Sequence, residues 1–438
     1  MKQYSNKEAF NILWAGQSIS LLGSGLTRFA LMVWAYQNNG SVIHMVLLGF
    51  FSCLTFMLCS PFAGVVTDRV NRKWVMFFAD LCSGFVTLSL LLLSLRGDLQ
   101  FWQLYLAEGL SGAFEAFQSP AFFSSVSLLL PQEEYSRSNA LIGLSKSVVQ
   151  VAAPALASAI LTFSGIHVVM GIDLFTLALG LVAVLLVSLP RAAASDVGAA
   201  AAGNFWHEFR FGFRCIFADR GLRAMLFIFA GINLFAGLTY MSILPPMILT
   251  RTNGDKIALG TVQTVMGMGG ILGGLVLTFW RSPRKKAALF AWSTLLSFGV
   301  CDFLTATSQT VWSWSIAGFL SEFSIPFIVS PYYTIWQERV PGDVQGRVFA
   351  VREMFLTSPT PLGYLLGGLL AEQVFEPFFA HPTFLSPLVG WGPGAGMAAM
   401  FLFTGLLGAL DGLAGLLHPA VRRLDACEST ALPLRGEG

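Results

Sequence analysis

The sequence predicts an all-α integral membrane protein with twelve transmembrane helices in two six-helix pseudo-symmetric halves. Three observations support this fold class. The 438 residues are 55% hydrophobic and only 11% charged, whereas soluble domains are roughly 25% charged. Twelve apolar runs reach the about 20 residues that a membrane-spanning helix needs. Corresponding loops of the two halves share a short repeated pattern.

The twelve apolar runs cover almost the whole chain. A glycine at Ser164-Gly165 separates the fifth run from the sixth. The first run directly follows a polar start and is far longer than the apolar part of a cleavable signal, so we expect no such signal. The predicted spans are 9–36, 45–66, 74–95, 101–127, 138–164, 167–189, 222–250, 257–279, 286–306, 311–336, 346–371 and 394–418.

The distribution of Lys and Arg predicts the orientation. With twelve spans, both termini lie on the same side and alternate loops can be pooled. One set of loops holds only Arg96, Arg251 and Lys256 of the chain's 26 basic residues. Lys and Arg accumulate on the cytoplasmic side of membranes. We therefore expect both termini in the cytoplasm and a multi-pass protein of the inner (cytoplasmic) membrane.

A repeat relates the two halves. Pro, Arg and Ala recur at an offset of 210, at Pro131, Arg137 and Ala140 and again at Pro341, Arg347 and Ala350. Two homologous six-helix halves in parallel orientation are typical of secondary transporters, which bind substrate near the membrane midplane between the halves. The predicted domains are an N-terminal half 1–190, a cytoplasmic linker 191–221, a C-terminal half 222–418 and a cytoplasmic tail 419–438.

The linker has two parts. Its Ala-rich start predicts a flexible connection. Residues 205–223 contain Phe, Trp and Arg at mixed spacing. They are either an amphipathic helix on the inner leaflet or a continuation into the seventh span.

Four segments carry a resemblance to a known family. The loop Gly64-x-x-x-Asp68-Arg69-x-x-Arg72-Lys73 resembles the signature between helices two and three of the major facilitator superfamily. Three further segments resemble the macrolide-efflux-type drug:proton antiporters of that superfamily: Asn11 to Leu31, Gln118-Ser119-Pro120-Ala121, and Ser145 to Ala157. The resemblance implies the major facilitator fold.

The resemblance also implies a function. We expect a secondary active transporter that exports hydrophobic or amphiphilic compounds, such as macrolides, by proton antiport and alternating access. Such drug efflux confers antibiotic resistance. Relatives also export siderophores and lipids, so the alternative is an exporter of a specific metabolite such as a siderophore or a lysolipid. We expect a monomer in the lipid bilayer with a small-molecule substrate.

The fifth span resembles the antiporter-motif helix of this family. The family usually has Gly-Pro with two further glycines, whereas this chain has Ala153-Pro154 followed by Ala157. Alanine is small enough to allow helices to approach closely.

The loop after the second span predicts a cytoplasmic gate. The resemblance implies a latch that closes when the cavity opens outward, with Asp68 accepting hydrogen bonds from a helix N-terminus. Basic neighbours would pair with lipid phosphates or with acids such as Asp80. The alternative is a positively charged anchor without a gating role, which leaves Asp68 unexplained. The predicted gate residues are Gly64, Asp68, Arg69, Arg72 and Lys73.

Charged residues within the spans predict the proton-coupling site. A charge near the bilayer centre costs about 2.5–3.5 kcal/mol, so each one needs a partner, a wet cavity or a neutral form. Glu108, Gly112, Glu115 and Ser119 share one face of the fourth span. The candidate cavity and coupling residues are Glu115, Glu108, Arg28, Glu322 and Asp302.

We predict distinct roles for these groups. In the superfamily, spans one and four line the cavity, which would pair Arg28 with Glu108. Glu115, without an obvious cation, would then be the principal proton carrier, and a cationic amphiphilic substrate would compete with the proton. The alternative is that both glutamates only tie helices together. The 39 Phe residues permit a large apolar pocket.

Other functional classes fit the sequence poorly. Five scattered His residues, six Cys residues without paired spacing and no phosphate-binding Gly-Lys loop argue against an enzyme, a metal site and an ATP-driven pump. A channel or a receptor would not need two homologous halves with a charged loop. The net charge of +2 does not suggest a nucleic-acid partner. We therefore expect no cofactor, with the proton gradient as the energy source.

Overall fold

The computed structural model describes residues 5–39, 42–130, 135–189, 213–279, 285–340 and 345–426. These residues form helices joined by short turns, and they contain no β-strand. The all-α prediction is therefore confirmed.

Six long helices occupy the first part of the chain. They coincide with the first six predicted apolar runs to within a few residues. In order they are α1 (Asn6–Asn39), α2 (Val42–Arg69), α3 (Arg72–Arg96), α4 (Phe101–Leu129), α5 (Tyr135–Phe163) and α6 (Ile166–Leu186).

The second part of the chain is helical too, but several of its helices contain π-helical segments. Residues 213–218 are helical and precede the seventh long helix. The helices that follow are α7 (Arg220–Ala236), α8 (Leu244–Arg251), α9 (Lys256–Phe279), α10 (Lys286–Leu296), α11 (Phe303–Thr307), α12 (Val311–Arg339), α13 (Gln345–Thr357), α14 (Pro359–Leu370), α15 (Glu376–Phe378), α16 (Ser386–Val389), α17 (Ala395–Leu417) and α18 (Pro419–Ala426). The π-helical segments are Gly237–Met241, Ser297–Asp302 and Ala371–Phe375.

Nine stretches of the described chain are long and apolar enough to cross a membrane by length and composition. They match nine of the predicted spans. The predicted fourth, tenth and eleventh spans lie on α4, α12 and the pair α13 and α14, which fall outside that set. The protein is therefore a multi-pass helical membrane protein, and the count of twelve crossings stays a prediction.

The chain divides into two compact units. The first unit comprises Met1–Ala193 with Ile248–Thr264, and the second comprises Ala194–Met247 with Val265–Gly438. The predicted halves differ from these units at the segment Ile248–Thr264, and they stay a prediction. Residues 191–212 of the predicted linker, and with them the start of the proposed amphipathic helix, lie outside the described residues.

Some helix starts are capped by polar side chains that accept hydrogen bonds from backbone N–H groups of the first turn. Asn71 accepts from the N–H of Lys73 at 3.0 Å and caps α3. Thr310 caps α12 through a reciprocal pair with Ser313. At the predicted break between spans five and six, Gly165 has φ = +79°, a conformation that side chains disfavour. The predicted break is confirmed.

Close helix contacts organise the first unit. Helix α1 packs along α6, and α2 packs along α4. At Gly112 of α4 a Cβ atom would lie 2.1 Å from the carbonyl oxygen of Ser52 in α2, so only glycine fits there. A buried apolar cluster that includes Phe10, Leu13 and Met76 closes one end of the unit.

The second unit has an aromatic core. The ring of Tyr332 lies 4.3 Å from that of Phe229 and 5.9 Å from that of Phe290, by their centroids. Trp336, fully buried, belongs to the same cluster. The short helix α18 packs on α7 and α10, so the predicted tail 419–438 begins with a folded segment. Residues 427–438 lie outside the described part of the chain.

Candidate functional site

A cavity of about 260 Å³ opens within the first unit, between α1, α3, α4, α5 and α6. The 39 Phe residues had suggested a largely apolar pocket. The lining instead contains serine hydroxyls and glutamine amides beside the apolar side chains. The ionisable groups in its lining are Arg28, Asp80, Glu108, Glu115, Lys146 and Asp173. This cavity is the candidate substrate and proton site.

An ion pair lies on the wall of the cavity. Nη2 of Arg28 donates to Oε2 of Glu115 at 3.1 Å, and the two side chains are 58% and 47% exposed. Glu108 is only 6% exposed, and it interacts electrostatically with both Arg28 and Glu115. The interpretation of Glu115 as a carboxylate without a cation is therefore wrong. The two carboxylates are seven residues, or about two helical turns, apart on α4, and both interact with the same guanidinium group.

A chain of hydrogen bonds links three helices beside this pair. Nε2 of Gln118 donates to Oε1 of Gln17 at 2.5 Å, and Nε2 of Gln17 donates to Oδ2 of Asp80 at 2.8 Å. Asp80 was expected to pair with basic residues of the gate loop. The structure instead places it in the cavity wall, because its position in α3 faces Gln17 of α1.

Asp173 is held by hydroxyl groups. Ser24 of α1 donates to its Oδ1 and Thr87 of α3 donates to its Oδ2, each at 3.2 Å. The residue is almost completely buried. These bonds offset part of the cost of a polar group in a dry environment.

Lys146 of α5 lines the cavity as well, and sequence reasoning missed it. Its Nζ lies 5.0 Å from the centroid of the Phe123 ring. The residue lies well inside the predicted span 138–164, yet it is absent from the predicted cavity residues. Its position within an apolar run was the available signal.

The two other predicted coupling residues, Glu322 and Asp302, are in the second unit and do not line this cavity. Asp302 is fully buried, and Thr404 of α17 donates to its Oδ2 at 3.2 Å. This acid and threonine resemble the Asp173 and Thr87 pair of the first unit. Glu322 has its carboxylate next to Gly270, where an added Cβ would lie 3.6 Å from Oε2.

The predicted gate is only partly described. Helix α2 extends to Arg69 and α3 begins at Arg72, so the connection is two residues long rather than a longer loop. Nζ of Lys73 donates to the carbonyl oxygens of Leu185 at 2.8 Å and Val187 at 2.7 Å. Lys73 therefore caps the end of α6 instead of pairing with an acid, and pairing of the basic residues with lipid phosphates stays a prediction. The side chains of Gly64, Asp68 and Arg69 lie outside the described residues.

The helix with the antiporter motif approaches its neighbours closely, as its small residues predict. Ala153 and Ala157 are buried. A Cβ atom on Gly25 of α1 would lie 3.0 Å from that of Ala153. Pro154 lies inside α5, and its carbonyl oxygen would be 2.9 Å from a Cβ atom on Gly260, which also belongs to the first unit.

The site is suited to proton exchange and to binding polar groups. Within the described ranges, no group of three or more His, Cys, Asp or Glu residues could hold a metal ion. The carboxylates of the cavity instead have separate partners: a guanidinium group, an amide and hydroxyls. Such groups can bind amines and hydroxyls of a small molecule and can accept protons.

Comparisons with known proteins agree with this architecture. The family model for the Major Facilitator Superfamily matches residues 13–364. Macrolide efflux protein A of Streptococcus pyogenes is 22% identical over 378 residues, which cover 85% of this chain and 92% of that protein. The multidrug efflux pump Tap of Mycolicibacterium fortuitum is 25% identical over 422 residues, covering 92% and 94%. A solved bacterial homologue of the human lysosomal transporter Spinster superimposes with a TM-score of 0.72 at 17% identity, covering 98% of this chain and 100% of that chain.

Proposed function

Because the chain belongs to the Major Facilitator Superfamily, whose match spans residues 13–364, we propose that it exports hydrophobic or amphiphilic compounds by proton antiport. Compounds such as macrolides are the expected substrates, since relatives that match most of the chain are named as macrolide and multidrug efflux proteins. The protein lies in the cytoplasmic membrane as a monomer with both termini inside the cell. The first-unit cavity binds the substrate.

The proposal rests above all on the charge balance around Arg28. One guanidinium group is shared by Glu108 and Glu115. With both carboxylates ionised, the three groups carry one net negative charge inside the membrane, which is costly unless a cation or water offsets it. Either a proton or the amine of a substrate neutralises it. Competition between these two cations for one site couples export to proton entry.

Glu115 is the group that exchanges the proton in this scheme. Its side chain is half-exposed to the cavity, whereas Glu108 is buried. A group that takes up and releases protons must reach water, as Glu115 does. The buried carboxylate of Glu108 contributes a second negative charge beside it. Glu108 therefore makes the site selective for cations. Arg28 limits the net charge of the three groups to one negative charge when no proton or substrate is bound.

Proteoliposomes with an imposed pH gradient test the proposal. Addition of a macrolide or a cationic dye should dissipate the gradient in the wild-type protein. Glu115→Gln should abolish this substrate-dependent proton flux while folding and insertion remain normal. The matched control is Glu338→Gln, in which an exposed glutamate paired with Lys286 on α10 is changed. Unchanged proton flux in Glu115→Gln would exclude Glu115 as the carrier.

We also propose that Asp68 acts as a cytoplasmic latch. The support is the resemblance of the Gly64 to Lys73 segment to the family signature, together with the fixed position of Lys73 on the end of α6. The basic loop 281–286 of the second half has no acid. Asp68→Asn should therefore reduce transport far more than Arg284→Gln. Equal losses from the two substitutions would contradict a latch at Asp68.

A second candidate function is the export of a specific metabolite that carries an anionic group, such as a siderophore or a lysolipid. The observation that favours it is the presence of Lys146 in the cavity lining. Adding siderophores and lysolipids to the proteoliposome assay separates the two candidates. Proton flux that responds only to these compounds would favour the metabolite exporter.

A further inference from the structure

Lys146 occupies an unusual place for a lysine. It lies about 16 Å along the axis of α5 from the first residue of that helix, at a depth where an ammonium group is costly unless it is wet or partnered. Its side chain is exposed and lines the cavity. The ammonium group therefore faces the space that a substrate would occupy.

The acids of the cavity are engaged elsewhere. Glu115 pairs with Arg28, Asp80 accepts from Gln17, and Asp173 accepts from hydroxyl groups. Among the described residues, Lys146 makes no ion pair with a carboxylate. Its Nζ instead lies over the face of the Phe123 ring, which orients a cation without neutralising it.

We infer that Lys146 and Phe123 form a subsite for an anionic group of the substrate, a carboxylate or a phosphate, so that the cavity accepts zwitterionic amphiphiles. The ammonium group supplies three charge-assisted donors, and the ring supplies an apolar wall. The amine of the same substrate would bind at Glu115, next to the buried Glu108. This second half of the inference rests on the proposed function.

The rise of α4 gives the approximate separation of the two subsites along that helix. Phe123 and Glu115 are eight residues apart on α4, which corresponds to about 12 Å along the helix axis. A zwitterion whose charges are separated by roughly this distance fits both subsites. A zwitterion with adjacent charges, such as a free amino acid, reaches only one of them.

A matched pair of fluorescent amphiphiles tests the inference. One carries only an amine, and the other carries the same amine with a carboxylate about 12 Å away, the spacing set by the helix rise. Their binding to the purified full-length protein in detergent is measured by fluorescence polarisation. Lys146→Gln should weaken binding of the zwitterion about tenfold or more and leave the amine unchanged or tighter, as loss of one charge-assisted contact predicts.

Two further variants complete the test. Lys146→Arg keeps the charge and should retain zwitterion binding, and Lys285→Gln changes an exposed lysine outside the cavity and should alter neither compound. Unchanged amine binding shows that Lys146→Gln is folded. The inference is overturned if Lys146→Gln weakens both compounds equally, if it weakens neither, or if the wild-type protein binds neither.

The proposed function fails by a different result. Absence of substrate-dependent proton flux in proteoliposomes would contradict the proposal of proton antiport. The difference between the two amphiphiles in the binding assay does not depend on a gradient, so the anionic subsite would stand.

Discussion

Asp425 of the C-terminal helix α18 caps the start of α10 from the far end of the chain. Its Oδ1 accepts from the backbone N–H of Ala287 at 2.8 Å and its Oδ2 accepts from that of Ala288 at 2.9 Å. Lys285, the residue just before α10, makes no capping hydrogen bond with its own side chain. In the first unit Asn71 does this locally for α3. The C-terminal tail thus supplies the capping carboxylate for α10, because the basic loop before this helix contains no acid.

Removing this carboxylate should lower the stability of the protein. We expect Asp425→Ala to cost about 1–2 kcal/mol, because two backbone donors at a helix N-terminus lose their acceptor and the helix dipole loses a compensating charge. Asp425→Asn should lose less stability than Asp425→Ala, because its amide oxygen can still accept one of the hydrogen bonds. The midpoint of thermal unfolding in detergent measures it. Arg423→Gln, an exposed change on the same helix, is the control, and equal midpoints for Asp425→Ala and Arg423→Gln would contradict the cap.

The helices were predictable from the sequence because the bilayer imposes a simple rule. A span must be long, apolar and internally hydrogen-bonded, so that the predicted start at 222 for the seventh span lies within two residues of Arg220. Gly165 marked a true helix break. The π-helical segments, such as Ser297–Asp302, were not predictable, since they depend on how one helix packs against its neighbours.

The sequence predicted most of the charged residues of the cavity but not which carboxylate pairs with Arg28. The residues on one face of α4 were identified by their spacing, and Glu108, Glu115 and Ser119 do line one cavity. Which carboxylate meets Arg28 depends on the rotation and offset of α1 against α4, which no local pattern encodes. Lys146 was missed because lysines of membrane proteins usually lie in loops and at helix ends, whereas this one lies within a span.

Gly112 should tolerate no larger side chain. A Cβ atom there would lie 2.1 Å from the backbone oxygen of Ser52, so α2 and α4 would have to separate. We expect Gly112→Ala to cost about 3 kcal/mol, at the upper end of overpacking effects. At Gly143 of α5 an added Cβ meets nothing within 4 Å. Gly143→Ala should therefore be neutral or stabilise by up to about 1 kcal/mol. Unfolding midpoints in detergent compare the two, and similar losses would contradict the close contact.

The hydrogen bond from Gln17 to Asp80 should show a strong coupling. Gln17→Leu leaves Oδ2 of a buried carboxylate without this donor, which we expect to cost about 1–3 kcal/mol. Adding Asp80→Asn should recover about half of that loss, because a neutral amide costs less to bury than a carboxylate. A double-mutant cycle on unfolding midpoints measures the coupling. Additive losses in the double variant would show that the two residues are independent.

Arg352 should matter for packing rather than for charge. The guanidinium carbon lies 4.4 Å from the ring centroid of Phe349 and 4.5 Å from that of Tyr333, and the residue is only 3% exposed. Its Nη2 donates to Glu353 at 2.5 Å, whereas Nε and Nη1 have no hydrogen-bond partner among the described residues. Burying these donors is costly, and Glu353, whose side chain is 44% exposed, keeps a hydrogen bond from Tyr333 without the arginine.

Two substitutions at this position separate the contributions. Arg352→Met fills most of the same space and leaves Glu353 partly exposed to solvent, so it should cost less than about 1.5 kcal/mol, as other volume-conserving substitutions do. Arg352→Ala leaves a cavity between aromatic rings and should cost about 3 kcal/mol. Unfolding midpoints in detergent give both values, with the exposed Arg422→Met as the control. If Arg352→Met is as damaging as Arg352→Ala while Arg352→Lys is tolerated, the positive charge among the rings is the dominant contribution.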